Sequence, residues 1–133
     1  MQWSDAPNAG FTTGTPWIGV NPNYTTSNAE AQESDPDSVL HFYRRLIALR
    51  KEYDIITEGD YTLLLGDHPQ IFAYARSWQG QQLYVICSFS AKTLGAPEIL
   101  PYCGGRLLLC NYAQDGDAQT LRPYEARVYL DGK

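Results

Sequence analysis

Residues 71–89 decide the fold of this chain, and they read IFAYARSWQGQQLYVICSF. Strict alternation of side-chain character over four to eight residues indicates a β-strand, and Ile71–Trp78 alternates in this way. One face receives Phe72, Tyr74, Arg76 and Trp78, and the other receives Ile71, Ala73, Ala75 and Ser77. A turn signal at Gln79-Gly80 separates this run from a second aliphatic strand over 82–89. The pattern predicts a sheet with one packed face and one partly wet face.

Three further runs have the composition of short strands. They are residues 61–65, 106–111 and 126–130, which are rich in Leu, Val and Tyr. Short strands at about ten-residue spacing, with no helix between them, are typical of an antiparallel sandwich. The sequence therefore predicts a mainly β fold, with an antiparallel β-sandwich over residues 56–133.

One amphipathic helix is predicted ahead of the sandwich, within residues 36–55. Asp35 is a good N-cap, and Pro36 suits the first helical position, where a missing N–H costs nothing. An apolar stripe at three- and four-residue steps is formed by Val39, Phe42, Tyr43, Leu46, Leu49 and Tyr53. Large apolar patches seldom stay bare, so we expect an uncovered stripe to promote self-association.

Residues 1–35 show neither a helical nor a strand period and are predicted to be an irregular segment. They contain no Lys or Arg, and Trp3, Phe11 and Trp17 are scattered along them. A structureless run of this length is uncommon in a compact domain and is usually functional or disordered. With three aromatic anchors, we expect the segment to pack on another surface.

Charge and composition limit the classes of partner. The chain is 44% hydrophobic and 19% charged, as expected of a globular protein. Ten Lys and Arg against fifteen Asp and Glu give a net charge of −5. This balance argues against nucleic acid or an anionic membrane as a partner, because both need a basic face. The sequence also shows no signal-peptide pattern and no apolar run of the roughly 20 residues that span a bilayer.

The cysteines favour a reducing compartment. Cys87, Cys103 and Cys110 are odd in number and lack the close spacing of structural zinc ligands. We therefore expect buried free thiols, with no metal and no cofactor. Reduced thiols suit the cytoplasm, which is the predicted location.

No set of catalytic groups stands out among the polar residues. His41 and His68 have no Ser or Cys nucleophile beside them in the sequence, and no Gly-x-Ser-x-Gly elbow or phosphate-binding loop occurs. Eight carboxylates at loop and helix ends can in principle supply an acid–base pair: Asp5, Glu30, Glu33, Asp35, Asp37, Glu52, Glu58 and Asp60. Acids in such positions are usually solvated or capping. Glu125, next to a predicted strand, is expected to anchor a turn.

A series of local strings runs through the chain in a recognisable order. They are Met1-Gln2-Trp3, Asn8–Gly14, Pro16-Trp17-Ile18, Val20–Tyr24, Asp37-Ser38, Leu46–Lys51, Ile71–Tyr74 and Leu121–Ala126. Together they resemble the C-terminal part of the oligo-1,6-glucosidases, which are α-glucosidases of glycoside hydrolase family 13. Trehalose-6-phosphate hydrolases and dextran glucosidases are similar over the same stretch.

The resemblance implies an α-glucosidase that hydrolyses α-1,6 or related bonds of short oligosaccharides with retention. In that family a barrel carries an aspartate nucleophile, a glutamate acid/base and a second aspartate, and none of them maps onto a position of this sequence. The family's Arg-Thr-Pro run before Met-Gln-Trp is also missing here. The resemblance makes 1–35 the loop of the last barrel unit, 36–55 the last barrel helix and 56–133 the Greek-key C-terminal domain. Gln2, Trp3, Phe11 and Trp17 are then expected at the mouth of the active site.

The length of the chain limits what it does alone. A complete barrel takes on the order of 250 residues, so 133 residues hold only a part. We therefore expect the chain to be inactive alone, to have the missing barrel as its partner, and to meet oligosaccharide only within the whole enzyme. Two other interpretations stay open: an interaction domain of a truncated gene product, or a free-standing carbohydrate-binding sandwich. The second needs exposed aromatic platforms, for which the candidates are Trp17, Tyr24, Tyr61 and Trp78.

Overall fold

The chain forms two compact units. The computed structural model describes residues 1–113 and 116–132. Contacts divide the chain into Met1–Leu49 and Arg50–Lys133, so the second unit begins at Arg50 where the sequence predicted a sandwich from residue 56. The predicted sandwich also includes Gln114, Asp115 and Lys133, which lie outside the described residues.

The N-terminal segment is irregular except for short helical elements. Two 3-10 turns occupy Pro7–Gly10 and Pro22–Thr25, and helix α1 spans Ala29–Ser34. Helix α1 was not predicted, because it carries no apolar stripe. It forms because Asn28 caps it, with Oδ1 accepting a hydrogen bond from the backbone N of Ala31 at 2.8 Å.

The predicted amphipathic helix is α2, which spans Val39–Glu52 and begins later than Pro36. Ser38 caps it in place of Asp35, since its Oγ accepts a hydrogen bond from the backbone N of His41 at 3.3 Å. Asp35 instead stabilises the preceding turn, where its Oδ1 accepts from the backbone N of Asp37 at 2.9 Å. A separate short helix, α3, follows at Ile55–Glu58. Within 1–113 and 116–132, no helix has both the length and the apolar character needed to cross a membrane.

The second unit is built on antiparallel strands. The strands are β1 (Asp60–Leu64), β2 (Ile71–Trp78), β3 (Gln81–Ser88), β4 (Leu94–Gly95), β5 (Arg106–Cys110), β6 (Thr120–Leu121) and β7 (Ala126–Asp131). One sheet has the order β1-β2-β3-β7-β5, and β4 pairs with β6 in a small second sheet. The five predicted strands correspond to the five strands of the larger sheet, so the mainly antiparallel β fold is confirmed. Strand β7 returns to lie between β3 and β5, so the sheet is not a simple meander.

The two faces of the larger sheet pack differently. The inner face is the one that packs against the smaller sheet and the 3-10 turn at Pro97–Tyr102. The core between these layers contains Ile71, Ala73, Ile86, Ala96, Ile99, Leu121 and Tyr129. On the outer face, Leu83 and Leu130 pack against Ile55 of α3. The alternation predicted for β2 is present, since Ile71 and Ala73 are buried while Phe72 between them is exposed.

Candidate functional site

The four residues predicted at an active-site mouth lie on the loops of the first unit. Backbone hydrogen bonds connect Gln2 and Trp3 to two other parts of the first unit. The backbone N of Trp3 donates to the carbonyl of Ala9 at 2.9 Å, and the carbonyl of Trp3 accepts from the backbone N of Glu30 at 3.0 Å. The carbonyl of Gln2 accepts from the backbone N of Ala29 at 2.9 Å. Residues 2–4 are therefore held between the first 3-10 turn and the start of α1.

The first 3-10 turn holds three successive residues in the left-handed region. Their φ angles are 57° at Asn8, 56° at Ala9 and 64° at Gly10. A positive φ costs energy for a residue other than glycine, so neighbouring contacts must compensate for it. Asn8 provides two of them, because its Nδ2 donates to the carbonyls of Thr12 and Gly14, both at 3.1 Å. The loop therefore has a defined shape that the absence of a period in its sequence did not reveal.

A groove of about 370 Å³ opens beside this turn, and Gln2, Phe11 and Trp17 are among the residues that line it. The indole of Trp17 is 94% exposed. The amide of Gln2 is already engaged, since Nε2 donates to Oδ1 of Asn23 at 3.1 Å and to the carbonyl of Ser27. Trp3 does not line the groove. The structure thus brings three of the four predicted residues together.

The eight candidate carboxylates are all exposed at the surface. Glu33 forms an ion pair with Arg44 on α2 at 2.8 Å. The hydrogen bond from Arg44 lowers the pKa of Glu33, whereas a general acid at neutral pH needs a raised pKa. Nothing in the surroundings of these eight residues distinguishes an acid–base pair.

The two histidines and the three cysteines have structural contacts. His41 lies with Nε2 3.0 Å from the carbonyl of Glu33. Nδ1 of His68 accepts from the backbone N of Ile71 at 2.9 Å, while its Nε2 lies 3.3 Å from Oε1 of Glu98. Cys87, Cys103 and Cys110 are free, and burial raises the pKa of each thiol, which makes these groups poor nucleophiles at neutral pH. In the described part of the chain, no group of three or more His, Cys, Asp or Glu side chains is placed to hold a metal ion.

The strongest electrostatic site is a buried cluster around Glu125 in the second unit. Glu125 is fully buried and accepts from the backbone N and the Nη2 of Arg122 at 2.7 and 2.6 Å. It also accepts from Nε and Nη2 of Arg127 at 2.9 and 3.0 Å. Burial alone raises the pKa of Glu125, but the hydrogen bonds from Arg122 and Arg127 outweigh it and lower the pKa from 4.5 to about 2.

This cluster has a structural role. Glu125 anchors the turn before β7, as expected, and a carboxylate paired with two guanidinium groups is neither a free base nor a proton donor. The sequence did not identify Arg122 and Arg127 as its partners. A signal for this pairing is present in the sequence, since residues 122–127 contain three charged residues in an otherwise apolar stretch. Charges that become buried need partners of opposite sign.

Comparison with known proteins finds one matching family and relatives that are 43–50% identical to this chain. The family described as "Alpha amylase, catalytic domain" matches residues 1–59. An oligo-1,6-glucosidase of Parageobacillus thermoglucosidasius is 50% identical over 97% of this chain and 24% of its own length. A trehalose-6-phosphate hydrolase of Escherichia coli is 43% identical over 98% of this chain and 24% of its own length.

Solved structures agree with this relationship. The crystal structure of a Bacillus licheniformis trehalose-6-phosphate hydrolase matches with a TM-score of 0.86 and 40% identity, covering 97% of this chain and 24% of that one. An isomaltulose synthase of a Klebsiella species matches with a TM-score of 0.89 and 32% identity, covering 98% and 24%. The chain spans about a quarter of the length of the curated relatives it matches.

Proposed function

We propose that this chain, a homologue of the oligo-1,6-glucosidases and trehalose-6-phosphate hydrolases among the α-amylase-type glycoside hydrolases, is the C-terminal part of an α-glucosidase. The whole enzyme hydrolyses α-1,6 or related glucosidic bonds of short oligosaccharides with retention. The catalytic carboxylates lie outside residues 1–133, and this chain supports the barrel that carries them. The match of residues 1–59 to a catalytic domain supports this proposal.

The observation that carries the proposal is the absence of an apolar core in the first unit. Its buried residues are Ala9, Asn28 and Ser38, none of which has a large apolar side chain. Eight of its large apolar side chains are exposed, namely Met1, Trp3, Phe11, Trp17, Ile18, Val39, Tyr43 and Ile47, and others such as Phe42 and Leu46 are only half-buried. Buried apolar area is the main stabilising term in folding, so this unit needs a further surface to cover it. Because it matches a catalytic domain, the rest of such a domain is the surface that fits.

Gln2, Trp3, Phe11 and Trp17 lie at the active-site mouth of the whole enzyme in this proposal. An exposed indole such as that of Trp17 can stack on the face of a glucose ring through its apolar surface. We expect Trp17→Ala in the whole enzyme to raise the KM for isomaltose more than it lowers kcat, because the residue binds substrate without taking part in bond cleavage. Phe89→Ala is the matched control, since Phe89 is an exposed aromatic residue of the second unit. Equal changes in KM for the two variants would show that Trp17 does not bind substrate.

The central test compares the chain alone with the whole enzyme. Incubation of the purified chain with isomaltose or p-nitrophenyl-α-glucoside should give no turnover, and the same assay on the whole polypeptide should give hydrolysis. Turnover by the chain alone would overturn the assignment of the catalytic groups to another part of the polypeptide. Faster hydrolysis of trehalose-6-phosphate than of isomaltose by the whole polypeptide would change the substrate and keep the enzyme class.

Two observations favour a second function, carbohydrate binding by the chain alone. Trp17 is nearly free of protein contact, and the rings of Tyr61 and Tyr74 lie side by side with centroids 5.3 Å apart. Such aromatic surfaces can hold a sugar without any catalytic group. Calorimetric titration with isomaltose, maltose and dextran distinguishes the two functions. An absence of heat up to about millimolar sugar, a Kd at which binding is worth about 4 kcal/mol, would exclude the binding module.

A further inference from the structure

Three carboxamide side chains line the groove beside Trp17. They belong to Gln2, Asn8 and Asn21, which lie at three separate positions along the first unit. Within the described part of the chain, each amide group forms hydrogen bonds through one of its two ends only. The other end of each amide is therefore available to a ligand in the groove.

Two of the three carboxamides present an oxygen. Nε2 of Gln2 donates to Oδ1 of Asn23 at 3.1 Å and to the carbonyl of Ser27, which leaves Oε1 of Gln2 as an acceptor. Nδ2 of Asn8 donates to two backbone carbonyls of its own loop, both at 3.1 Å, which leaves Oδ1 of Asn8 as an acceptor. Both side chains are half-buried, so these contacts hold the two oxygens in fixed places.

The third carboxamide presents a donor. Oδ1 of Asn21 accepts from the backbone N of Asn23 at 3.3 Å, which leaves the two N–H bonds of Nδ2. A sugar hydroxyl both donates and accepts hydrogen bonds, so two acceptors and one donor can pair with hydroxyls of one ring. Trp17 adds an exposed indole, whose apolar surface can stack on the C–H face of such a ring.

The charge of the groove selects the class of sugar. None of the described residues that line it has a charged side chain. Residues 1–35 also contain no Lys or Arg, the residues that most often hold a phosphate group. The volume of about 370 Å³ lies within the range of roughly 300–1,000 Å³ that is usual for small-molecule sites. The groove therefore suits an uncharged sugar better than a phosphorylated one.

We infer that the groove is a binding subsite for one uncharged glucosyl unit, which stacks on Trp17 and forms hydrogen bonds with the three carboxamides. This inference rests on the proposed function, which puts the groove at the active-site mouth of the whole enzyme. It adds the polar groups that hold the sugar and the class of sugar that they accept. Carboxamides do not transfer protons at neutral pH, so these groups act on substrate binding and not on bond cleavage.

The first test deletes one carboxamide and keeps the turn that it caps. Serine is also a good N-cap residue, so Asn21→Ser retains an acceptor for the backbone N of Asn23 and loses the N–H bonds in the groove. In the whole enzyme, the loss of one hydrogen bond should raise the KM for isomaltose about two- to tenfold. The kcat should stay nearly unchanged.

Thr26→Val is the matched control for this variant. Oγ1 of Thr26 donates to the carbonyl of Asn23 at 3.2 Å, so the substitution removes a hydrogen bond of the same turn outside the groove. It should leave both kinetic constants close to those of the wild type. An unchanged KM in Asn21→Ser, or an equal rise in Thr26→Val, would overturn the inference.

A chemical-protection experiment tests the class of sugar, even where the variant does not fold. N-bromosuccinimide oxidises exposed indoles, and mass spectrometry identifies the oxidised tryptophans of the whole polypeptide. Glucose should slow the oxidation of Trp17 severalfold, and glucose 6-phosphate at the same concentration should protect it much less. Trp3 is the internal control, because it is 52% exposed and does not line the groove. Equal protection by the two sugars, equal protection of Trp3, or no protection of Trp17 would contradict the inference.

The failure of this inference is distinguishable from the failure of the proposed function. Hydrolysis of isomaltose by the wild-type whole polypeptide reports on the function, whereas the KM of Asn21→Ser and the oxidation of Trp17 report on the groove. An active enzyme with an unchanged KM in Asn21→Ser and an unprotected Trp17 would contradict the subsite alone. An inactive polypeptide whose Trp17 is protected by glucose and not by glucose 6-phosphate would contradict the proposed function and support the subsite.

Discussion

Arg127 lies with its Nε 2.9 Å from Oε1 of Glu125, and both side chains are buried. Arg127 is on β7, and it also donates to the carbonyls of Thr120 at 2.8 Å and Asp117 at 3.1 Å. The pair therefore connects β7, which lies between β3 and β5, with the segment around β6. Through this connection the small sheet is held over the inner core.

Removing the carboxylate of this pair should strongly destabilise the second unit. The variant Glu125→Gln leaves the buried guanidinium of Arg127 without its counter-charge, and breaking a buried pair in this way costs about 3–5 kcal/mol. Urea denaturation followed by circular dichroism measures the change in the free energy of unfolding. Glu33→Gln is the matched control, because Glu33 pairs with Arg44 at the exposed surface, and it should change stability little. A similar midpoint for both variants would contradict a structural role for Glu125.

The same carboxylate should make stability depend on acid. The pKa of Glu125 is lowered from 4.5 to about 2 in the folded chain, since the hydrogen bonds from Arg122 and Arg127 outweigh the effect of burial. Because the pKa of Glu125 is lower in the folded chain than in the unfolded chain, its carboxylate stabilises the fold fully at a pH above the unfolded pKa. This stabilisation is lost as the pH falls through the folded pKa. The difference in unfolding free energy between wild type and Glu125→Gln should therefore narrow as the pH falls from about 5 towards about 2. A constant difference over this range would argue against the titration of Glu125.

The strands of the larger sheet were predictable because each carries a local pattern. Strand β2 spans Ile71–Trp78, as the alternation of its side chains predicts. The two-residue strands Leu94–Gly95 and Thr120–Leu121 are too short for any period, and their pairing depends on the core that forms beneath them. Helix α1 escaped prediction for a related reason, since it is held by its Asn28 cap and not by an apolar stripe.

Truncating an isoleucine should cost much stability where the residue is buried and little where it is exposed, a difference that the sequence alone does not show. Ile86 is fully buried between the two sheets, and Ile86→Ala should cost about 3 kcal/mol through lost contacts and the cavity left behind. Ile47 on α2 is more than half exposed, so Ile47→Ala should have little effect on the chain alone. Urea midpoints of the two variants measure the contrast. Comparable losses would mean that α2 is buried in solution.

The left-handed turn should be sensitive to a methyl group at Gly10. Its φ is 64°, and a Cβ there would lie 2.5 Å from Oγ of Ser4. Gly10→Ala should therefore lower the free energy of local opening of this loop by about 1–3 kcal/mol. Hydrogen exchange at the amides of Trp3 and Ser4, which donate to the carbonyl of Ala9, reports on this local opening. The control is Gly19→Ala, because a Cβ at Gly19 meets nothing within 4 Å. Unchanged exchange in Gly10→Ala would show that the turn tolerates the side chain.

The candidate site was predictable in its residues but not in its geometry. Gln2, Phe11 and Trp17 came from the resemblance to a family, and the structure places all three around one groove. The shape of that groove depends on the left-handed residues Asn8 and Ala9, which leave no periodic trace in a sequence. It also depends on side-chain to backbone hydrogen bonds, such as those of Asn8, that connect residues with no shared pattern.

The apolar stripe of α2 should drive self-association of the chain alone. Val39 and Tyr43 are 67% and 61% exposed, and they lie on the same side of the helix because they are four residues apart. Burying such side chains against a second copy removes apolar area from water, which is favourable at about 25 cal/mol per Å². The double variant Val39→Ser/Tyr43→Ser should therefore shift the chain towards monomer in sedimentation velocity experiments over a concentration series. Lys51→Ser is the control, since Lys51 is exposed on the same helix but off the stripe. A wild-type chain that stays monomeric, or a double variant that associates equally well, would show that the stripe does not mediate contact between copies.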